Sequence, residues 1–220
     1  MSLVIRNFSV KKARFAQKRI AEKVIKQDIL PTRIEKIAGV DVAYRNGHSV
    51  GSAVVVRMPE YKLIDHVAVK VPVKFPYIPT LLAFREVYPA LMALKKLRKN
   101  FDLLMVDGNG LLHPFRAGFA CHLGVIVNKP SIGIAKKLLC GNVAEWKNRW
   151  APIIDRNEII GAAVKTSPRA KPIYVSIGHK ISLNTAIRIT LWATRKGFKL
   201  PEPIRQAHLV ANKAIRDLVI

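Results

Sequence analysis

Three carboxylates stand out in a chain that has few of them. Asp41 sits in the middle of AGVDVAY, flanked by Val40 and Val42. A charged side chain in an apolar strand is costly unless its face meets water, a partner or a cation. Asp107 ends the apolar run DLLMVDG, and ligands of open α/β sheets bind at the carboxyl ends of strands. Glu86 closes FPYIPTLLAFRE, a stretch dense in proline, aromatic and aliphatic residues. Singly, each acid has an ordinary reading: a solvent-facing strand Asp, a turn Asp before Gly108, an ion pair with Arg85 or Lys95. Together, an Asp in a central strand, a Glu near a helix start and an Asp at a neighbouring strand end can converge on one point. Their repulsion is relieved by a divalent cation. Mg²⁺ favours carboxylate oxygens, water and phosphate, a combination that activates water and stabilises the leaving oxygen in phosphodiester hydrolysis.

The rest of the chain is basic. Lys and Arg number 38 against 14 Asp and Glu, a net charge of +24. No acid occurs between Asp107 and Glu145, or between Glu158 and Glu202, and those stretches carry Lys136, Lys165, Arg169 and Arg188 among others. Such a field attracts polyanions, and each base on a phosphate releases counterions. Acids for a metal within a field for nucleic acid suggest a metal-dependent nuclease. A non-catalytic nucleic-acid-binding module would explain the charge, but not the acids.

The elements that must position these groups follow from periodicity. The chain of 220 residues is 50% hydrophobic, enough to bury a core in one domain or at most two. It has no apolar run long enough to span a bilayer, and its first residues lack the order of a secretory signal. Cys121 and Cys140 lack metal-ligand spacing and read as reduced thiols, in keeping with a cytoplasmic protein. Residues 9–27 read as an amphipathic helix capped by Ser9, with Val10, Ala13, Ala16, Ile20 and Val24 on its apolar face. KIAGVDVAY, SVGSAVVVRM and YKLIDHVAVKV read as an antiparallel meander with a hairpin turn at Asn46-Gly47. Residues 89–99 read as a helix with Pro89 in its first turn, FDLLMVDG as a buried parallel strand, and residues 117–127 as a helix. PSIGIAKK, EIIGAAVKT and KPIYVSIG read as strands, and residues 182–194 and 202–218 as closing helices. The expected fold is α/β: a mixed central sheet, antiparallel meander plus parallel strands, flanked by helices.

The segments IAGVDVAY, PYIPTLLAFRE, VDGNGLLHP, AGFACHLGV, IGIAKKLLCG, VSIGHKISLNTA and LPEPIRQAH resemble, in order and spacing, those of endonuclease V. That family comprises repair nucleases acting on deaminated adenine (hypoxanthine) in DNA. The resemblance runs from Ile37 to His208 and implies a ribonuclease H-like fold, with residues 1–220 as one endonuclease V domain. It implies Mg²⁺ (or Mn²⁺) as cofactor and cleavage of the second phosphodiester bond 3′ to the lesion, leaving 3′-hydroxyl and 5′-phosphate. It implies DNA containing deoxyinosine as partner, a monomeric state and no membrane. Some relatives cut inosine in RNA, so an inosine-specific endoribonuclease is the alternative within the family.

Carried over by position, Asp41, Glu86 and Asp107 resemble the metal-binding carboxylates. His208 resembles a residue placed near the metal, and Lys136 the lysine that reaches the scissile phosphate or attacking water. Tyr77, Ile78 and Pro79 resemble the strand-separating wedge, because an aromatic beside stiff prolines can fill the gap left by an extracted base. Leu82, Gly108, Gly110 and Gly118 resemble the lesion pocket, and His113 and Arg116 phosphate contacts. Many relatives have Gly where this chain has Thr80, and a β-branched residue is expected to avoid positive φ there. Many have Arg where Phe115 stands, with Arg116 expected to compensate. Asn184 is acidic in some relatives and has no expected catalytic role.

The charge predicts a steep salt dependence. Affinity for DNA should fall by roughly 10³-fold or more between about 50 and 200 mM salt if six or more phosphates are contacted. A flat dependence in a binding titration would mean that the bases do not touch phosphates.

Overall fold

The computed structural model describes residues 9–168 and 170–217. Arg169, in the second acid-free stretch, and Leu218, at the expected end of the last helix, lie outside them. The chain opens with helix α1 (Val10–Lys23) and the meander β1 (Lys36–Arg45), β2 (His48–Arg57) and β3 (Lys62–Pro72). Then come α2 (Leu82–Lys95), β4 (Leu103–Asp107), α3 (Phe119–Val127) and β5 (Ser131–Ala135). The strands β6 (Asn142–Val143), β7 (Trp150–Asp155), β8 (Glu158–Val164) and β9 (Ile173–His179) precede α4 (Leu183–Trp192) and α5 (Glu202–Arg216). One nine-stranded sheet runs in the order β3-β2-β1-β4-β5-β9-β8-β7-β6. β1, β4 and β5 are parallel, and the strands outside them pair antiparallel. This is the expected mixed sheet.

Strand alternation sorts side chains into two layers. Ile37, Leu103 and Met105 share a core with Ile204 and Ala207 of α5 and Ile187 of α4. Ala38, Val40, Leu104 and Val106 pack on the opposite face against Ala83, Ala90 and Leu94 of α2 and Leu123 of α3. Two glycines let the helices approach the sheet closely. A Cβ on Gly39 would lie 2.0 Å from the Pro203 carbonyl oxygen of α5, and one on Gly51 would lie 2.2 Å from that of Pro89 in α2.

Three expectations need correction. α2 starts at Leu82, so Pro89 lies inside the helix and Glu86 within its second turn. Packing of Pro89 on Gly51 overrides the helix-breaking tendency of proline. The same helix stops before residue 99, because the Asp65 carboxylate accepts the Arg98 and Lys99 backbone amides at 2.7 and 2.9 Å. β6 and β7 were not anticipated. Pro152 disguises β7, and its hairpin to β8 turns on Arg156 and Asn157, both at positive φ, without a glycine. On α1 the buried positions are Ala13 and Gln17, while Val10 and Ala16 face solvent. The buried stripe thus contains a polar residue.

Gly39→Ala should destabilise the fold by about 3 kcal/mol, the upper range for overpacking, read as a lower denaturant midpoint. An unchanged midpoint would show that α5 does not seat on Gly39.

Candidate active site

Parallel pairing of β1 with β4 ends at Val40–Val106. The next residue on each strand is Asp41 and Asp107. Both follow the odd-numbered alternation of Ile37 and of Leu103 and Met105, so both face α5. There His208 Nδ1 lies 2.7 Å from Asp41 Oδ2, and its Nε2 lies 2.9 Å from Asn212 Nδ2 one turn further on. With Asn212 donating to Nε2, Nδ1 carries the hydrogen that Asp41 accepts, and His208 orients the carboxylate. Asp41 Oδ1 also accepts the Val42 amide at 2.8 Å. Lys136, one residue past β5, places Nζ 2.6 Å from Asp107 Oδ2. Ligand atoms of Asp41, Asp107 and His208 lie within 4.8 Å of one another, and with both His208 nitrogens engaged the two carboxylates are the groups of this set open to a metal ion.

Glu86 comes from the other layer, on α2, and is not in that three-residue group. It is close enough to feel it. Burial, then the charges of Asp41 and Asp107, push its pKa up to about 8, with Arg85 opposing. Asp107 is raised by burial and Asp41 and pulled back by Lys136. The Arg85 guanidinium lies over the Tyr44 ring at 4.4 Å.

Beside the acids is a cavity of about 180 Å³. Tyr77, Thr80, Leu82, Glu86, Asp107 and Asn109 contribute to its walls, as do Gly108, His113, Gly118, Phe119 and Leu139. The loop from β4 to α3 is fastened beneath it. Leu111 N–H donates to Ile177 O, Gly118 N–H to Gly110 O, and Ala120 N–H to Asn109 O. A Cβ on Gly118 would meet Asn109 O at 2.3 Å. Tyr77 is 67% exposed and projects at the rim, while the Asn109 Oδ1 is buried and has no hydrogen-bond partner among the described residues.

The sequence profile of the Endonuclease V family matches residues 18–209. The chain belongs to the endonuclease V family. It is 55% identical over 210 residues to endonuclease V of Thermofilum pendens, covering 96% of this chain and 90% of that one. The crystal structure of endonuclease V from Streptomyces avermitilis superposes with a TM-score of 0.88 at 32% identity, covering 96% of this chain and 95% of that one. A Ciona intestinalis endonuclease V superposes with a TM-score of 0.84 at 30% identity, covering 96% of this chain and 99% of that one. It was crystallised with a 24mer DNA containing an inosine followed by a ribo-adenosine. Endonuclease V relatives are nucleases, and an acid cluster at the strand ends fits that chemistry.

The structure brings together most residues that the resemblance singles out, with instructive exceptions. Asp41, Asp107, His208 and Lys136 form one hydrogen-bonded group, with Glu86 facing it from α2. Tyr77, Leu82, Gly108, Gly118 and His113 share the cavity. Ile78 and Pro79 lie between Tyr77 and Thr80, outside the cavity lining. Gly110 is turned away: its amide donates to Ser176 Oγ, and a Cβ there would meet Ile177 O at 2.0 Å. Arg116 is held by Asp155 and Glu158, each at 2.8 Å, so it does not replace the charge that Phe115 lacks. Burial pushes the His113 pKa down to about 4, so the ring is neutral at pH 7; its Nδ1 accepts the Phe115 amide. Thr80 adopts φ +66, against the expectation that a β-branched residue would avoid this region. Sequence reasoning missed Asn212, Asn109, Arg14 and Gln17. The available signals were the four-residue spacing from His208 to Asn212 and the polar Gln17 in an apolar stripe.

With its pKa near 8, Glu86 holds a proton at neutral pH in the metal-free protein, whereas the unfolded chain loses it near 4.5. The folded state binds the extra proton between those values, so stability is fully present below the lower one and falls as pH rises through the window. Thermal unfolding in EDTA should show a steeper loss from about pH 5 to about pH 8 in the native protein than in Glu86→Gln. The variant should be the more stable of the two at the upper end. Parallel curves would show that neither burial nor the two aspartates raise the Glu86 pKa in the folded protein.

Proposed function

We propose that this protein is a divalent-metal-dependent endonuclease that recognises hypoxanthine in DNA. In this reading it hydrolyses the second phosphodiester bond 3′ to the lesion and leaves 3′-hydroxyl and 5′-phosphate. One observation carries it: the same cavity is walled by the glycine loop and by two of the acids, Glu86 and Asp107. A base held there lies beside the cluster that acts on its strand. Extracting a base costs a few kcal/mol of unstacking and unpairing, and the exposed Tyr77 ring at the rim, with Ile78 and Pro79, would stack on what is left. Hypoxanthine presents N1–H where adenine has a bare nitrogen. The Asn109 Oδ1, which has no hydrogen-bond partner among the described residues, is the acceptor at hand for that N1–H, while the Gly108 and Gly118 amides are taken by Ile134 O and Gly110 O and hold the wall in shape.

Asp41, Asp107 and Glu86 would hold Mg²⁺ or Mn²⁺. Their oxygen donors and mutual crowding fit a hard dication. Such an ion, when bound, activates water and stabilises the departing oxygen. His208 fixes the Asp41 carboxylate, and Lys136, beside Asp107, is in place for a phosphate oxygen bound there. A single domain over residues 1–220 agrees with the continuous sheet. Among the described residues, no helix is long and apolar enough to cross a membrane. Cytoplasmic location and a monomeric state belong to the same reading. A second reading, cleavage of inosine in RNA, is favoured by the ribo-adenosine that follows the inosine in the Ciona complex. The 2′-hydroxyl separates the two substrates.

Matched DNA and RNA oligonucleotides with one inosine each, incubated with Mg²⁺ or EDTA, test this directly. Nicking of the DNA should require the metal and fall by on the order of 10³-fold in Asp41→Ala and Asp107→Ala. Persistent nicking in both variants would refute the metal site, and preferential cutting of the RNA would decide for the second reading.

A further inference from the structure

Thr80 lies in a backbone region that β-branched residues avoid, and helix α1 supplies what keeps it there. Arg14 Nη2 donates to Thr80 Oγ1 at 2.5 Å and Nη1 donates to Thr80 O at 3.2 Å. Gln17 Nε2 donates to the same carbonyl at 2.9 Å and to Ala117 O at 3.0 Å. Gln17 is fully buried, and its Oε1 accepts a further bond from Arg14 at 2.8 Å. Thr80 Oγ1 passes its own hydrogen to Pro79 O at 2.6 Å. The Arg14 guanidinium also lies 4.0 Å from the centroid of the Phe115 ring. Two residues of α1 thus tie together three segments around the cavity: the Tyr77–Thr80 turn, the loop carrying His113 and Phe115, and the entry to α3 at Ala117.

We infer that Arg14, with Gln17, is a positioning residue for substrate recognition: α1 braces the wedge turn and the cavity wall in the shape that a displaced base meets. The ligand's identity rests on the function proposed above; the brace does not. A loop fixed before binding spares the ordering cost at binding. An arginine on so basic a chain invites the simpler reading of a phosphate contact. Here, however, the guanidinium is spent on Thr80, Gln17 and an aromatic face.

The two readings separate in a binding experiment. Ca²⁺ replaces Mg²⁺ to suppress cutting, and a duplex containing one hypoxanthine is compared with its adenine counterpart. Arg14→Ala should weaken binding to the hypoxanthine duplex about tenfold, the factor expected for releasing one strained residue. The adenine duplex should change less than about twofold. Arg14→Lys keeps the charge but not the two-pronged hold, and should behave like Arg14→Ala. In a Thr80→Gly background, where the residue takes positive φ unaided, Arg14→Ala should cost less than about twofold. Equal losses on both duplexes and in both backgrounds would make Arg14 a phosphate contact and overturn the inference.

Hydrogen exchange in the free protein reads the brace without any substrate. The Leu81 amide, which donates to Ile78 O at 3.0 Å, should exchange about tenfold faster in Arg14→Ala. Unchanged exchange overturns the brace. Faster exchange in a protein that does not prefer hypoxanthine would leave the brace standing and remove the ligand.

Discussion

Negative charge crowded at the fork between β1 and β4 is the constraint on which the site depends. Pairing stops at Val40 and Val106, and the next residue on each strand is an aspartate facing α5. A glutamate approaches from the opposite layer. Each acid is relieved differently. Asp41 accepts from His208, Asp107 is paired with Lys136, and Glu86 keeps its proton, its pKa pushed up to about 8. Around them, Arg85 lies over Tyr44, whose phenol is held protonated by burial and by Glu86.

Bringing acids from two layers to one point requires both layers to sit close to the sheet. Gly39 allows this for α5 and Gly51 for α2. Side chains at those positions would push the helices outward and carry His208 and Glu86 away from the fork. The loop after β4 must also stay narrow enough to leave a cavity. Its fastening to β9 through Ser176 and Ile177 does this. The fold and the site are thus one set of close approaches, with the cavity as the space left between them.

Much of this was legible because it is local or periodic. The meander follows from alternation and from the Asn46-Gly47 turn, and the β4 strand from its unbroken apolar run. What was not legible depends on contacts distant in sequence. Pro89 reads as a helix start until Gly51 is seen to receive it. β7 goes unread because Pro152 interrupts its strand pattern. Arg116 reads as a phosphate contact until Asp155 and Glu158 are seen to hold it. Thr80 reads as incompatible with positive φ until Arg14 and Gln17, more than sixty residues away, are placed on it. The acids stand out in the sequence by their settings in the strands and near a helix start, but the odd-numbered alternation that aligns two of them emerges only from the register.

The net charge and the acid cluster set up a conflict that a dication would resolve. A polyanion attracted by a net charge of +24 would meet, at this cluster, carboxylates that repel phosphate. In the metal-free protein, a proton on Glu86 and the Lys136 ammonium offset part of that negative charge. Both reliefs are weak holds: a proton can leave, and a lysine can exchange its carboxylate for a phosphate oxygen. A dication at the fork would stabilise the ionised form of all three acids at once, displacing the proton from Glu86 and releasing Lys136 toward the strand. The protonated glutamate and the paired lysine are therefore the metal-free forms of the groups that a cation and a phosphate would engage.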